Sequence, residues 1–297
     1  MHNLKQRARI LSAIRSFFET AGFLEVETPV RIPTVIPEAH IDFLTSADWL
    51  LQPSPELCMK RLLAAGHEKI FQICRCFRKG ERGRRHVPEM TMLEWYVAGY
   101  DYLDLMTQCE DLIRFVAAPF APGGRLVYQG CAVDIKKPWD RLSVDAAFRQ
   151  FSGMSAEAAL DAGVFDEQMG LDIEPRLGLG RPVFLYDYPV QCGSLARTSA
   201  KNPAVAERFE LYIAGMELCN AFSELVDPVE QRRRFEAENR IREGLGKPVC
   251  PLPERFLADL AHMPAAAGIA LGIDRLVMVL CDAASIDAVI AFPPESL

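Results

Sequence analysis

The spacing of apolar positions divides this 297-residue chain into stretches of two kinds. Some repeat near every 3.6 residues, as helices do, and some every second residue, as strands do. Leu4, Ala8, Leu11, Ile14 and Phe18 fall at helical spacing and Gly22 follows as a C-cap, so a helix is expected over 4–20. FLEVET reads as a short strand stopped by Pro29, and residues 30–48 look irregular. SPELCMKRLLAAG predicts a second helix, with Ser54 as its cap, Pro55 in its first position and Gly66 at its end. FQICRCF and TMLEWYV alternate as strands, and 101–118 is helical in pattern. Strand signals return at VFLYDY and RFELYIAGMELCNAF, followed by a charged helix over 228–245. AAAGIALGI then reads as a strand and DRLVMVLCD as a buried helix.

Strands outnumber crossover helices and several pair as hairpins. The expected class is therefore α+β, an antiparallel β-sheet flanked by helices. Residues 119–180 carry Pro and Gly clusters and two weak helices. They are read as a small helical insertion in a single domain spanning 1–297.

Composition narrows the function. Half of the residues are hydrophobic and a quarter charged, and the net charge of -7 argues against a general nucleic-acid binder while leaving room for a local basic patch. The nine cysteines show neither CxxC pairs nor zinc spacing, which reads as reduced thiols. MHNLKQRARI lacks the apolar core of a signal peptide, and no run reaches the roughly 18 apolar residues of a membrane span. A cytoplasmic protein with no membrane partner is expected. The common nucleotide loops, GxxxxGK[ST] and a strand followed by GxGxxG, are missing.

One stretch concentrates the chemistry. FRKGERGRRHVPEMTMLEWY joins two alternating strands through a loop of four basic residues, His86 and two glycines. If even positions pair with even, Arg78, Glu94 and Tyr96 share one sheet face and Leu93 and Trp95 the other. Alone, the Arg78 and Glu94 pair reads as a solvated ion pair. The basic loop beside it suits a polyanion, because guanidinium forks match phosphate oxygens.

This stretch resembles motif 2 of the class II aminoacyl-tRNA synthetases, and more narrowly their lysyl group, including shortened members that act on elongation factor P. The resemblance covers nearly the whole chain. GFLEVETPV, ending in Pro29, is similar to motif 1, and GIALGIDRLVMVL to motif 3, with Arg275 as its arginine. SPELCMKRLLAAG, YDYPVQCGSLAR and RFELYIAGMELCNAFSELVD are further blocks in the family order.

The resemblance implies ATP and Mg²⁺ as cofactors, and an amino acid activated as its adenylate. Arg78 and Arg275 would be the catalytic arginines. Arg78 would hold the α-phosphate and the amino acid carboxylate, and Arg275 would lie over adenine. Glu81, His86 and Met90 would complete the ATP site, and Glu210 and Glu217 would carry the metal. Ser54, Glu56, Glu94, Tyr96, Asn220, Phe222, Glu224 and Ala270 would bind the amino acid. Glu56 would take its nearer amine and Glu224 with Tyr96 the far one, so lysine or a lysine isomer is implied.

A hairpin turning at Ala214–Gly215 puts Glu210 and Glu217 on one face and Asn220 and Glu224 on the other parity. All can share the site only if a bulge intervenes between Glu217 and Asn220. The chain departs from the family pattern at Gly80, where a glutamate is usual, at Met90 for phenylalanine, and at Ala270 for glycine.

No room is seen for an anticodon-binding barrel before Leu4 or after the last helix. The expected acceptor is therefore a lysine of elongation factor P rather than tRNA, with tRNA charging as the alternative. Motif 1 further implies a homodimer, expected to bury Phe17, Phe18 and Phe23.

Overall fold

The computed structural model describes residues 2–136 and 138–297. Its helices are α1 His2–Thr20, α2 Glu56–Ala64, α3 Tyr102–Ala117, α4 Val144–Phe151, α5 Ala156–Asp161, α6 Phe165–Gln168, α7 Pro228–Gly244, α8 Glu254–Leu260 and α9 Ile273–Leu280. The main sheet comprises β1 Leu24–Glu25, β2 Lys69–Phe77, β3 Glu89–Ala98, β4 Asp140–Ser143, β5 Val183–Pro189, β6 Val205–Ile213, β7 Met216–Ser223 and β8 Ala266–Gly272. Their order is β1-β2-β3-β8-β7-β6-β5-β4.

From β2 to β5 every neighbouring pair is antiparallel. Both edges are parallel, β1 against β2 and β4 against β5. The α+β class holds, with a mixed sheet in place of a purely antiparallel one. Strand β4 lies within the stretch read as an insertion, so 119–180 is not wholly outside the sheet. The helices α4 to α6 pack as a satellite cluster on Val183, Leu185 and Tyr212.

Helix α1 ends on Gly22, which takes φ 75°. Gly22 N donates to Glu19 O at 3.1 Å and Phe23 N to Phe18 O at 3.0 Å. The Phe18 and Phe23 rings meet at 5.0 Å, the apolar contact that accompanies this cap. The buried face differs from the expected one. Ile10, Ile14 and Phe18 are buried, whereas Leu4 and Ala8 are exposed. Arg7 turns inward instead and pairs with buried Asp274 at 2.6 Å. Phe18 also stacks on Phe71 at 4.7 Å, and Phe23 is buried. The expected dimer stripe is thus corrected: Phe18 and Phe23 belong to the protomer's own core.

One face of the sheet carries the main core. Phe71, Leu93, Trp95 and Val97, all odd positions of β2 and β3, pack with α1, α3 and α9. Helix α3 opens with a capping box between Asp101 and Asp104. Helices α2 and α8 join through Leu57, Leu63, Phe256, Leu257 and Leu260, against Ile70 and Tyr96 from the opposite, even face. Helix α2 begins at Glu56, with Pro55 in the capping position. The Ser54 hydroxyl still accepts the Glu56 N–H at 3.0 Å, so the expected boundary shifts by one residue.

Candidate active site

Strands β2 and β3 pair with Gln72 opposite Glu94, Cys74 opposite Met92 and Cys76 opposite Met90. This is the even-with-even register that the alternation required. Strand β8 sets Ala270 opposite Glu94 and Gly268 opposite Tyr96. Strand β7 then sets Asn220 opposite Ala270 and Phe222 opposite Gly268. Cross-strand partners share a face, so these side chains form one floor. The cleft above it is lined by all the expected site residues except Glu210 and Glu224.

The bulge lies where the two parities demanded it. Leu211 pairs with Cys219 but Tyr212 pairs with Glu217, which leaves Leu218 as the extra residue. The turn at Ala214 and Gly215 has φ 51° and 70°, the left-handed pair of a two-residue hairpin. Glu210, Glu217, Asn220 and Phe222 therefore face the same side. Yet Glu210 is occupied by its own neighbours. It accepts from Tyr188 Oη at 2.6 Å, Tyr212 Oη at 2.7 Å and Arg208 Nη2 at 2.6 Å. Glu217 lines the cleft and takes Arg275 Nη1 at 2.9 Å.

At the other end, three buried carboxylates converge. Glu94 accepts from Ser54 Oγ at 2.6 Å and from Tyr96 Oη at 2.8 Å. Burial, then the charge of Glu56, pushes its carboxyl up to about 8, against the pull of those hydrogen bonds and of Lys60. Glu224 lies on the same face just past the end of β7, 1 % exposed. Burial raises its carboxyl to about 8 despite Lys60 beside it. Burial and the Glu94 charge hold the Tyr96 phenol well above its ordinary value. Gly268 makes this geometry possible: a Cβ there would stand 2.2 Å from the Tyr96 ring and 2.4 Å from Glu224 Oε1.

Between the two ends stands Arg78. Its nearest anion is Glu81, at 3.8 Å, and its Nε is buried without a hydrogen-bond partner among the described residues. A buried donor of that kind marks where an external acceptor belongs. Arg275, in the first turn of α9, donates through Nη2 to His86 Nε2 at 2.5 Å. Burial and the Arg275 charge lower the His86 pKa, which keeps the ring a neutral acceptor. The neighbouring Asp274 accepts the Thr91 N–H at 2.8 Å and pairs with Arg7, tying the motif 3 helix to β3 and α1.

The family model for class II tRNA synthetases (D, K and N) matches residues 1–296. The chain belongs to the class II aminoacyl-tRNA synthetases. It is 42% identical to an elongation factor P–(R)-β-lysine ligase of Edwardsiella ictaluri, over 98% of this chain and 94% of that one. It is likewise 42% identical to the ligase of that name from Pectobacterium carotovorum, over 99% and 95%. Against a lysine–tRNA ligase of Moorella thermoacetica it is 41% identical over 97% of its own length, but spans only 64% of that relative.

The class II reading from motifs did not reach three residues in or beside this cleft. Arg208 lines it and donates to Asn220 Oδ1 at 3.0 Å and to Glu210. It sits two residues before Glu210 on the same strand face, so parity could have found it. Glu38 also lines the cleft. Burial pushes its carboxyl up to about 7, with Arg78 opposing. It comes from a stretch with no periodic signal, held by Arg242 Nη1 donating to Glu38 O and Ile41 O at 2.8 Å each. Lys60 is buried between carboxylates. Its spacing from Glu56 was legible, but on paper an i,i+4 pair reads as a surface contact.

Proposed function

We propose that the protein activates lysine or β-lysine with ATP and passes the aminoacyl group to a lysine side chain of elongation factor P. What carries the reading is one juxtaposition: Arg78, with its unpartnered buried Nε, opens onto the same cleft as buried Glu94 and Glu56. One end thus suits a carboxylate or phosphate and the other suits ammonium groups. The near full-length match to the elongation factor P ligases supports the choice of acceptor.

In this reading the substrate carboxylate oxygen attacks the α-phosphorus of ATP, the phosphoanhydride bond breaks and pyrophosphate leaves. Arg78 holds the carboxylate and the α-phosphate, where charge builds in the transition state. Arg275 and His86 hold the nucleotide, with Met90 covering adenine by its polarizable side chain. In the second step the acceptor amine attacks the carbonyl carbon and AMP departs. The acceptor must be uncharged to attack, so transfer speeds up with pH toward that lysine's pKa.

Among the described residues no three His, Cys, Asp or Glu side chains are grouped to cage a metal. Mg²⁺ commonly rests on one or two carboxylates plus nucleotide phosphates. Glu217, on the cleft and, among the described residues, with its carboxylate bound only to Arg275, fits that role. Glu210, with both oxygens taken by Tyr188, Tyr212 and Arg208, supports it from behind. Bound Mg²⁺ would neutralise charge on the phosphates.

Incubation with ATP, labelled lysine or β-lysine, and either purified elongation factor P or purified tRNA tests the function. Label is expected on one lysine of elongation factor P. Charged tRNA with unlabelled protein would transfer the reading to a tRNA synthetase.

Ala270 stands between Glu94 and Asn220 on the floor, and its methyl narrows the cleft near the substrate's α-carbon. A β-lysine, with its amine moved one carbon, is the preferred isomer in this reading. Ala270→Gly is expected to relax that preference by about 1–3 kcal/mol, read as the ratio of kcat/KM for the two isomers. Equal selectivity in variant and parent would make Ala270 packing alone.

The homodimer is also part of the proposal, on surfaces other than the expected stripe. Leu24 on edge strand β1 and Phe115 on α3 are each 50 % exposed and offer apolar contact. Sedimentation at micromolar concentration is expected to give a dimer, and a monomer throughout would remove it.

A further inference from the structure

Lys60 lies one turn beyond Glu56 on α2, with its side chain 1 % exposed. Its ammonium pairs with Glu56 Oε1 at 2.5 Å and with Glu224 Oε2, and stands 5.0 Å from the centre of the Phe222 ring. The chemistry above does not use it. A buried ammonium persists only where neighbouring charge compensates its lost hydration. Burial pulls the Lys60 pKa down, but Glu224 and Glu56 outweigh it and hold it above the ordinary lysine value. Lys60 is therefore a fixed positive charge among the groups assigned to the amino acid.

The charges can be counted. Glu56, Glu94 and Glu224 act on one another and on Lys60. With all three ionised, Lys60 balances one and leaves two. The substrate's own carboxylate is assigned to Arg78. We propose that Lys60 is a positioning residue of the amino acid pocket: by occupying one face each of Glu56 and Glu224, it leaves a site that is electrically complete only with a substrate bearing two ammonium groups. This rests on the reading of the substrate as a diamino acid.

The groups facing Lys60 are Glu56 from its own helix, Glu94 from β3, and Phe222 and Glu224 from β7 and just beyond it, and Tyr96 of β3 faces the same three carboxylates. Helix α8, packed on α2, contributes apolar Phe256, Leu257 and Leu260, and its Asp259 pairs with Arg61. Farther along the cleft, Glu38 is set against Arg78. In the free protein Glu94 and Glu224 hold protons below about 8. Two incoming ammonium groups require those protons to leave. The KM for lysine, counted throughout as the form bearing both ammonium groups, is therefore expected to fall as pH rises through this range, then level off. Without the Lys60 charge both carboxyls hold their protons more tightly, and the levelling point moves to higher pH.

The test is lysine-dependent ATP–pyrophosphate exchange by the full chain and by Lys60→Met, with KM and kcat measured from about pH 6.5 to 9.5, and ATP binding measured without lysine. Lys60→Met is expected to raise KM for lysine at least about tenfold at pH 7, with kcat and ATP affinity within a few-fold of the parent. The penalty should shrink to about threefold at the alkaline end. Lys60→Arg keeps the charge, so the pH at which its KM levels off should stay within about half a unit of the parent's. This comparison carries the test should Lys60→Met not fold. A Lys60→Met penalty equal at every pH, or shared by kcat and ATP binding, would overturn the counter-ion role, as would a displaced levelling point in Lys60→Arg. Absence of exchange in the parent with both lysine and β-lysine would instead remove the diamino acid reading and this inference with it.

Discussion

Arg78→Ala is expected to slow lysine-dependent ATP–pyrophosphate exchange by about a hundredfold or more. The guanidinium follows the last residue of β2, and its backbone N–H is fixed to Pro88 O at 2.9 Å, so its base does not wander. Its Nε is already desolvated and unpartnered. Binding an anion there therefore costs little further desolvation, and the contact strengthens as charge builds at the α-phosphate. Loss of one preorganised donor of this kind removes roughly 3 kcal/mol from the transition state. Among the described residues the one ion pair Arg78 makes is with Glu81 at 3.8 Å, with both side chains about 30 % exposed, so the fold should lose little stability. Near-normal exchange by a folded variant would show that Arg78 does not hold the reacting phosphate.

Gly268→Ala is expected to raise KM for lysine by about a hundredfold while leaving ATP binding nearly intact. Gly268 sits in the middle of β8, between Tyr96 on β3 and Phe222 on β7. A methyl group there would come within 2.2 Å of the Tyr96 ring and 2.4 Å of Glu224 Oε1. Neither neighbour can yield easily, since Tyr96 is buried and bonded to Glu94 and Glu224 is paired with Lys60. Overpacking of this sort costs roughly 1–3 kcal/mol, and here the displaced groups are those assigned to the substrate's far amine. The arginines of the nucleotide end lie elsewhere along the cleft. Calorimetric titration of the variant with ATP and with lysine separates the two ends, and unchanged lysine affinity would place the amino acid pocket somewhere else.

Local pattern carried much of this structure. The alternation in FQICRCF and TMLEWYV determined the face on which Arg78, Glu94 and Tyr96 meet, because a strand's side-chain period is two and a one-residue slip would expose Trp95. Gly22 marked the end of α1, because its φ of 75° suits a residue without a Cβ. Opposed parities around Glu217 and Asn220, with the resemblance setting both in one site, called for a bulge between them, and it falls at Leu218. In each case the residues that decide the outcome lie within a few positions of one another.

Tertiary structure decided what depends on distant partners. Helix α1 buries Ile10 and exposes Leu4 because Asp274, from the far end of the chain, draws Arg7 inward. Phe18 and Phe23 became core because Phe71 and Trp95 come to meet them. Residues 140–143 became an edge strand only because β5 offers an open edge. Glu210 alone reads as a solvated strand face, and only the fold brings Tyr188, Tyr212 and Arg208 to hydrogen-bond its carboxylate. Lys60, one turn from Glu56, has the spacing of an exposed helix pair. Glu224, 164 positions later, makes it a buried charge, because burial is set by what the fold brings over a residue and not by its neighbours in sequence.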